Sequence, residues 1–212
     1  HMMPERVPQH DLAEVFAHAR RAGVRLVGPN SNGLISPRRS RLGGLGGEDP
    51  ERMFVPGPVG VVSRSGGMCG EIGWQLKRHG LGVSTAVSMG GDLMVGTPFV
   101  GFLELFGEDP ETEVALLFGE PGTTYEEDAA AFIREGRFAK PAVAFIAGRF
   151  IDRYPQGVPF GHAAAMVSRG MGSPAAKVQA LREAGVRVAE TFEELPLLVH
   201  QALEEARAGR RT

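Results

Sequence analysis

The chain has 212 residues, 42% of them hydrophobic, enough to bury one sizeable core and too few for two full domains. Its net charge is -2, and Lys and Arg are scattered along it, which excludes the basic stripe that nucleic-acid phosphates require. One cysteine, Cys69, rules out an internal disulfide, and the lack of a signal peptide or long apolar run predicts a cytoplasmic protein with no membrane or nucleic-acid partner.

In chain order, the opening His1-Met2-Met3 reads as an appended start and is set aside. Residues 11–22 have a helical pattern, 24–27 form one short apolar run predicting a strand, and 28–57 is a Gly/Pro/Arg-rich connector without periodicity. This helix-strand extension, residues 1–57, fits poorly with the remainder of the chain and is expected to be the end of a preceding domain or an arm that packs on a partner. From residue 58 onward, β-branched runs at 59–63, 83–88, 114–119, 142–147 and 186–189 predict five buried parallel strands. Helices are predicted between and after them at 66–78, 98–106, 123–135, 173–184 and 191–206. Thr123 with Glu126 and Thr191 with Glu194 have capping-box spacing, while Ser173-Pro174 supplies an N-cap and a first-turn proline. The alternation predicts an α/β fold, a doubly wound parallel five-stranded sheet of flavodoxin-like order carrying an N-terminal helix-strand extension.

In such a sheet ligands bind beyond the carboxyl ends of the strands. The turns expected there are Ser63-Arg64-Ser65-Gly66-Gly67, Ser88-Met89-Gly90-Gly91-Asp92, Gly119-Glu120-Pro121-Gly122 and a longer loop ending in Gly161-His162. Glycine is twice as common as its usual share of roughly 7%, and these clusters let something approach the backbone closely. Ser65-Gly66-Gly67 opens a helix, so its free N–H groups and partial positive charge suit an anion; a tight strand-to-helix connection is the other reading. His162 lies among small residues with no second histidine at metal-ligand spacing, so no metal site is predicted; it is either a structural histidine or a nucleophile toward phosphorus. Glu120 is then either a helix-capping or surface-turn residue or the carboxylate that fixes the imidazole tautomer. Glu126-Glu127-Asp128 reads as a solvated first turn, and Cys69 as a buried structural thiol. No Gly-x-x-x-x-Gly-Lys-Ser/Thr loop is present, so a nucleotide would have to be held elsewhere.

Seven blocks in order carry a family likeness: Gly28-Pro29-Asn30, Gly60-Val61-Val62-Ser63-Arg64-Ser65-Gly66, Gly90-Gly91-Asp92, Gly119-Glu120, Ala147-Gly148, Gly161-His162-Ala163 and Ala180-Leu181-Arg182-Glu183-Ala184-Gly185-Val186. On these the chain resembles succinyl-CoA synthetase α subunits, and the related parts of malate-CoA ligase and ATP-citrate lyase, over nearly its whole length. The resemblance implies the phosphohistidine-carrying ligase domain of an ADP- or GDP-forming acyl-CoA ligase. ATP or GTP with Mg²⁺ would be held by an ATP-grasp β subunit, and CoA mostly by a CoA-binding domain of which residues 1–57 are the remnant. It implies that His162 carries the phosphoryl group, that Glu120 orients it, that Ser63, Ser65, Gly66 and Gly67 bind phosphate, and that Asn30, Ser31, Gly90 and Gly91 line the carboxylic acid substrate. The resemblance also implies a hetero-oligomer, or a homodimer. Ser31-Asn32 stands where the family has Cys-Pro, Gly67-Met68-Cys69 replaces a threonine-rich helix start, and Met171 replaces a lysine, which leaves the acid open. The competing expectation is a non-catalytic binding or assembly module derived from the same family.

Overall fold

The computed structural model of the chain describes residues 1–153, 162, 165 and 172–209. Parallel strands β3 (Pro56–Ser63), β4 (Val83–Ser88), β5 (Val114–Gly119), β6 (Ala142–Ile146) and β7 (Arg187–Val188) lie side by side in the order β4-β3-β5-β6-β7. Crossing over once between the first two strands and then running outward is the flavodoxin-like order expected from the alternation of strand and helix.

Successive residues of these strands face opposite layers. Val62, Val87, Leu117 and Ala144 pack against α3 (Phe99–Glu108), α4 (Tyr125–Arg134) and α5 (Pro174–Glu183), whereas Val61, Ala86, Leu116 and Val143 pack against α2 (Gly66–Arg78) and α6 (Leu195–Gly209). Both faces are therefore covered, which is why the strands read as continuous apolar runs rather than as alternating ones. At Gly60 β3 meets α3 closely: a Cβ there would lie 2.7 Å from the Phe106 ring.

The N-terminal segment differs from its sequence reading in two places. Residues 24–27 form no strand, because none of the described residues pairs with them as a ladder; the carbonyl of Val27 accepts from Met2 N–H at 2.8 Å and that of Leu26 accepts from the Thr97 hydroxyl at 2.7 Å. The connector, in turn, contains a hairpin, β1 (Gly33–Ser36) and β2 (Ser40–Gly43), that extends the sheet antiparallel beyond β4 in the register Gly33↔Ser88, Leu34↔Val87 and Ile35↔Ala86. Four-residue strands around a Pro37-Arg38-Arg39 turn, with Arg38 at φ 62°, carry neither the length nor the Asn-Gly signal by which hairpins are read. Before the hairpin, helix α1 (Gln9–Arg21) buries only Leu12.

Helix starts follow the serines more closely than the threonines. The Ser65 hydroxyl accepts from Met68 N–H at 3.4 Å and the Ser173 hydroxyl from Ala176 N–H at 3.2 Å, with Pro174 in the first turn. Neither capping box forms: Thr123 is left-handed at φ 52° and Thr124 takes the cap position, while Glu194 accepts the N–H of Glu190 rather than that of Thr191.

Candidate active site

The parallel register aligns Ser63, Ser88 and Phe118 at one sheet edge, so the turns after β3, β4 and β5 leave from the same line. Backbone bonds lock these turns together, from Met89 N–H to Ser63 O at 2.7 Å and from Arg64 N–H to Phe118 O at 3.0 Å. His162 is brought to this edge. Its Nδ1 lies 2.8 Å from both carboxylate oxygens of Glu120, the residue directly after β5.

A carboxylate can only accept, so Nδ1 carries the proton and donates, and Nε2 is the ring nitrogen left with a lone pair or an exchangeable proton. The imidazole side chain is 28% exposed and the Glu120 side chain 10%, a partly water-excluded pair open at one side. The hydrogen bond to Glu120 raises the imidazole pKa above the ordinary histidine value, outweighing the burial that lowers it. Gly91 supplies the floor: a Cβ there would fall 2.5 Å from the imidazole Cγ.

Arg64 is a site residue to which sequence reasoning gave no role. It is fully buried, its Nε donating to Glu120 Oε1 at 3.4 Å and its Nη2 to the Asp92 carbonyl at 3.3 Å, with the guanidinium carbon 5.2 Å from the Tyr125 ring centroid. Its Nη1 has no hydrogen-bond partner among the described residues. A signal was available: Arg64 is the single charged residue between Arg52 and Glu71, and a buried charge needs a partner of opposite sign. Asp92 is buried as well and ties down the entering chain, accepting from Arg6 N–H at 3.1 Å and from the Asn30 amide at 3.3 Å.

The remaining expected site residues divide by how much of them faces the edge. Ser63 is fully buried and its hydroxyl is committed within the turn, donating to Ser65 O at 2.6 Å and accepting from Ser65 N–H at 3.1 Å, so it shapes the turn that leads into α2 rather than presenting a hydroxyl. Ser65 caps α2, and Gly66 and Gly67 form its first turn, where N–H groups lack helical acceptors. Gly67 is exposed, with no atom of the described residues within 4 Å of where its Cβ would be, whereas a Cβ on Gly66 would meet the Asn32 amide at 2.3 Å. Ser31 is also buried; its hydroxyl donates to Ser88 O at 2.6 Å and accepts from Gly33 N–H at 2.9 Å, which fastens the hairpin to the end of β4. Asn30, left-handed at φ 54°, and Gly90, at φ 117° with Pro29 O 2.1 Å from where a Cβ would stand, hold the two turns in contact. Gly161, Ala163 and Met171 lie outside the described residues. Among the described residues no group of three His, Cys, Asp or Glu side chains is placed to hold a metal, and no helix is long and apolar enough to cross a membrane.

Together these features define a flavodoxin-like α/β domain with a carboxylate-bound histidine and a glycine-opened helix at the carboxyl edge of its sheet. Residues 56–201 match the family described as the succinyl-CoA ligase like flavodoxin domain, and the chain belongs to that family. It is 45% identical over 200 residues to the alpha 1 subunit of the ADP-forming succinate–CoA ligase of Archaeoglobus fulgidus, covering 94% of this chain and 66% of the relative. It is 41% identical to the alpha subunit of malate–CoA ligase of Methylorubrum extorquens, covering 86% of this chain and 60% of that one. Among solved structures, ATP citrate lyase from Methanothrix soehngenii, in complex with citrate and coenzyme A, superposes with a TM-score of 0.92 at 27% identity, over all of this chain and 35% of that one. The chain spans about two thirds of the length of the curated relatives it matches.

Proposed function

We propose that the chain is the phosphohistidine-carrying domain of a nucleotide-dependent, ADP- or GDP-forming acyl-CoA ligase. Nε2 of His162 attacks the terminal phosphorus of ATP or GTP; the N–P bond forms as the P–O bond to the departing nucleoside diphosphate breaks. A carboxylic acid then takes the phosphoryl group, returning the imidazole, and the thiol of CoA displaces phosphate from the resulting acyl phosphate to give the thioester. Glu120 keeps the proton on Nδ1 and stabilises the cation that forms when Nε2 bonds phosphorus. The first turn of α2, with Ser65, Gly66 and Gly67, supplies amides for the phosphate, and Ser63 holds that turn in shape. Asn30, Gly90 and Gly91 line the acid, with Ser31 setting the hairpin beneath them.

The carrying observation is the pair of 2.8 Å contacts between His162 Nδ1 and Glu120, which leaves Nε2 as the acceptor nitrogen. The partners in this reading are an ATP-grasp β subunit, which would hold the nucleotide with Mg²⁺, and a CoA-binding domain, of which residues 1–57 are the end. That division at residue 57 is one of origin, since the hairpin within it shares the sheet of the ligase domain. The relatives are named for different acids, succinate and malate among them, so the acid belongs to that class of small carboxylates. A cytoplasmic hetero-oligomer acting in central carbon metabolism completes the reading.

The test is incubation with the β subunit, Mg²⁺ and γ-labelled ATP or GTP. The chain should take up acid-labile, base-stable label, and His162→Asn should take up none. Absence of label in the complete complex, or label persisting in His162→Asn, would sink this function.

A further inference from the structure

Behind Glu120 lies a second ionisable cluster that never reaches the ligand edge. Lys177 of α5 is fully buried, and its ammonium donates to the Glu126 carboxylate, to Glu127 Oε2 at 3.0 Å and to the Thr123 carbonyl at 3.1 Å. Glu126, 1% exposed, uses its other oxygen to accept the backbone N–H of Glu120 at 3.1 Å. The space for that oxygen exists because residue 119 is glycine: a Cβ there would lie 2.6 Å from Glu126 Oε1.

Stability alone gives no account of this arrangement, because apolar side chains of similar volume commonly replace a buried ion pair without loss. What an apolar pair cannot do is accept the Glu120 N–H. The same cluster joins the turn after β5 to the helix beyond the histidine loop. Gly122 N–H donates to Gly172 O at 2.8 Å, and a Cβ on Gly172 would meet Thr123 O at 2.7 Å, so the end of that loop is clamped to the Glu120 turn.

We propose that Glu126, anchored by Lys177, is a positioning residue for the Glu120–His162 pair, holding the Glu120 backbone so that its carboxylate meets Nδ1. The proposal rests on the phosphohistidine reading for its purpose, while its geometry is independent of it. The charged groups that act on the imidazole are Glu120, Arg64 and Asp92, and none of the three is substituted in the variants below.

Two double variants separate positioning from mere packing. Glu126→Gln/Lys177→Met keeps an acceptor for the Glu120 N–H, and Glu126→Leu/Lys177→Met removes it, while both discard the buried charges. The His162 titration is followed by NMR on the histidine-labelled chain, alongside phosphorylation by phosphoramidate, in which the phosphoryl group passes to Nε2 and ammonia leaves. The Gln pair should titrate and react as the unmodified chain does. The Leu pair should titrate closer to free imidazole and react about tenfold more slowly, the scale expected of a sub-ångström misplacement. Equal behaviour of the two pairs, or a Leu pair indistinguishable from the unmodified chain, overturns the proposal. If the Leu pair does not fold, Glu126→Met/Lys177→Met, whose flexible thioethers fill irregular gaps, takes its place under the same two outcomes. The titration reads positioning, and phosphate uptake by the unmodified chain reads the carrier function, so failure of one is told apart from failure of the other.

Discussion

The imidazole of His162 rests on the α-carbon of Gly91, so closely that a Cβ on that glycine would stand 2.5 Å from both Cγ and Nδ1 of the ring. Gly91 lies just past the end of β4, whereas Glu120 lies just past the end of β5, and the ring is held between the two. Gly91 is not among the glycines with positive φ, so alanine is acceptable to the backbone, and the three atoms nearest its Cβ would all belong to the His162 ring. Gly91→Ala should therefore cost about 1 kcal/mol of stability or less. It should slow phosphorylation of His162 by tenfold or more, since ~1 Å of displacement of a reacting group costs about a hundredfold. Labelling kinetics and urea unfolding on the same preparation check both halves; an alanine variant that phosphorylates at the original rate would show that the ring does not need this seat.

Cys69 sits in the first turns of α2, where a helix dipole lowers a thiol pKa, yet it is fully buried and that burial pushes the thiol far up instead. Iodoacetamide should leave the folded chain unmodified at neutral pH and alkylate it once denaturant is added. Rapid alkylation of the native protein, read by intact mass, would contradict the buried, protonated thiol.

How much of the fold and site was legible in the sequence depends on range. Parallel strands covered on both faces announce themselves as apolar runs, and Ser65 and Ser173 announce their helices, because those signals lie within a few residues of what they specify. The edge that gathers Gly91, Glu120 and His162 could be anticipated from strand order alone, since every turn concerned comes after a strand. The hairpin at 33–43 could not, because its strands are short and owe their existence to an unpaired β4 edge rather than to their own pattern. Glu126 misled for a related reason: three acids at a helix start look like a solvated, dipole-compensating turn, and only the arrival of Lys177 from another helix turns one of them inward.

That inward turn makes a stability prediction. Burial pushes the Glu126 carboxyl above the ordinary range and Lys177 opposes it, so the carboxylate depends on its cation. Lys177→Met alone strands a buried charge and should cost about 3–5 kcal/mol, the usual penalty for removing one partner of a buried pair. Adding Glu126→Leu should restore most of it. Urea unfolding of the single and double variants measures this; a single variant as stable as the double would mean that the pair is not coupled.

The His162–Glu120 bond sets opposite pH trends for stability and reactivity. The hydrogen bond raises the folded-state imidazole pKa above its unfolded value of about 6.5, so the stabilisation it brings is fully present below that value and is lost as pH rises through the folded one. The proposed phosphoryl uptake should run the other way, because Nε2 has a lone pair only in the neutral ring, and its rate should climb with pH through the same folded pKa. Glu120→Gln keeps an acceptor beside Nδ1 but removes the charge, so the rising limb of the rate profile should move to lower pH and the extra stability at acidic pH should shrink. The plateau rate should nevertheless fall, because a neutral amide no longer offsets the positive charge of the phosphorylated ring. Phosphoramidate labelling of His162 across pH 5–9, in the original chain and in the variant, decides it: a rising limb that stays put on loss of the carboxylate would mean that Glu120 does not govern the protonation of His162.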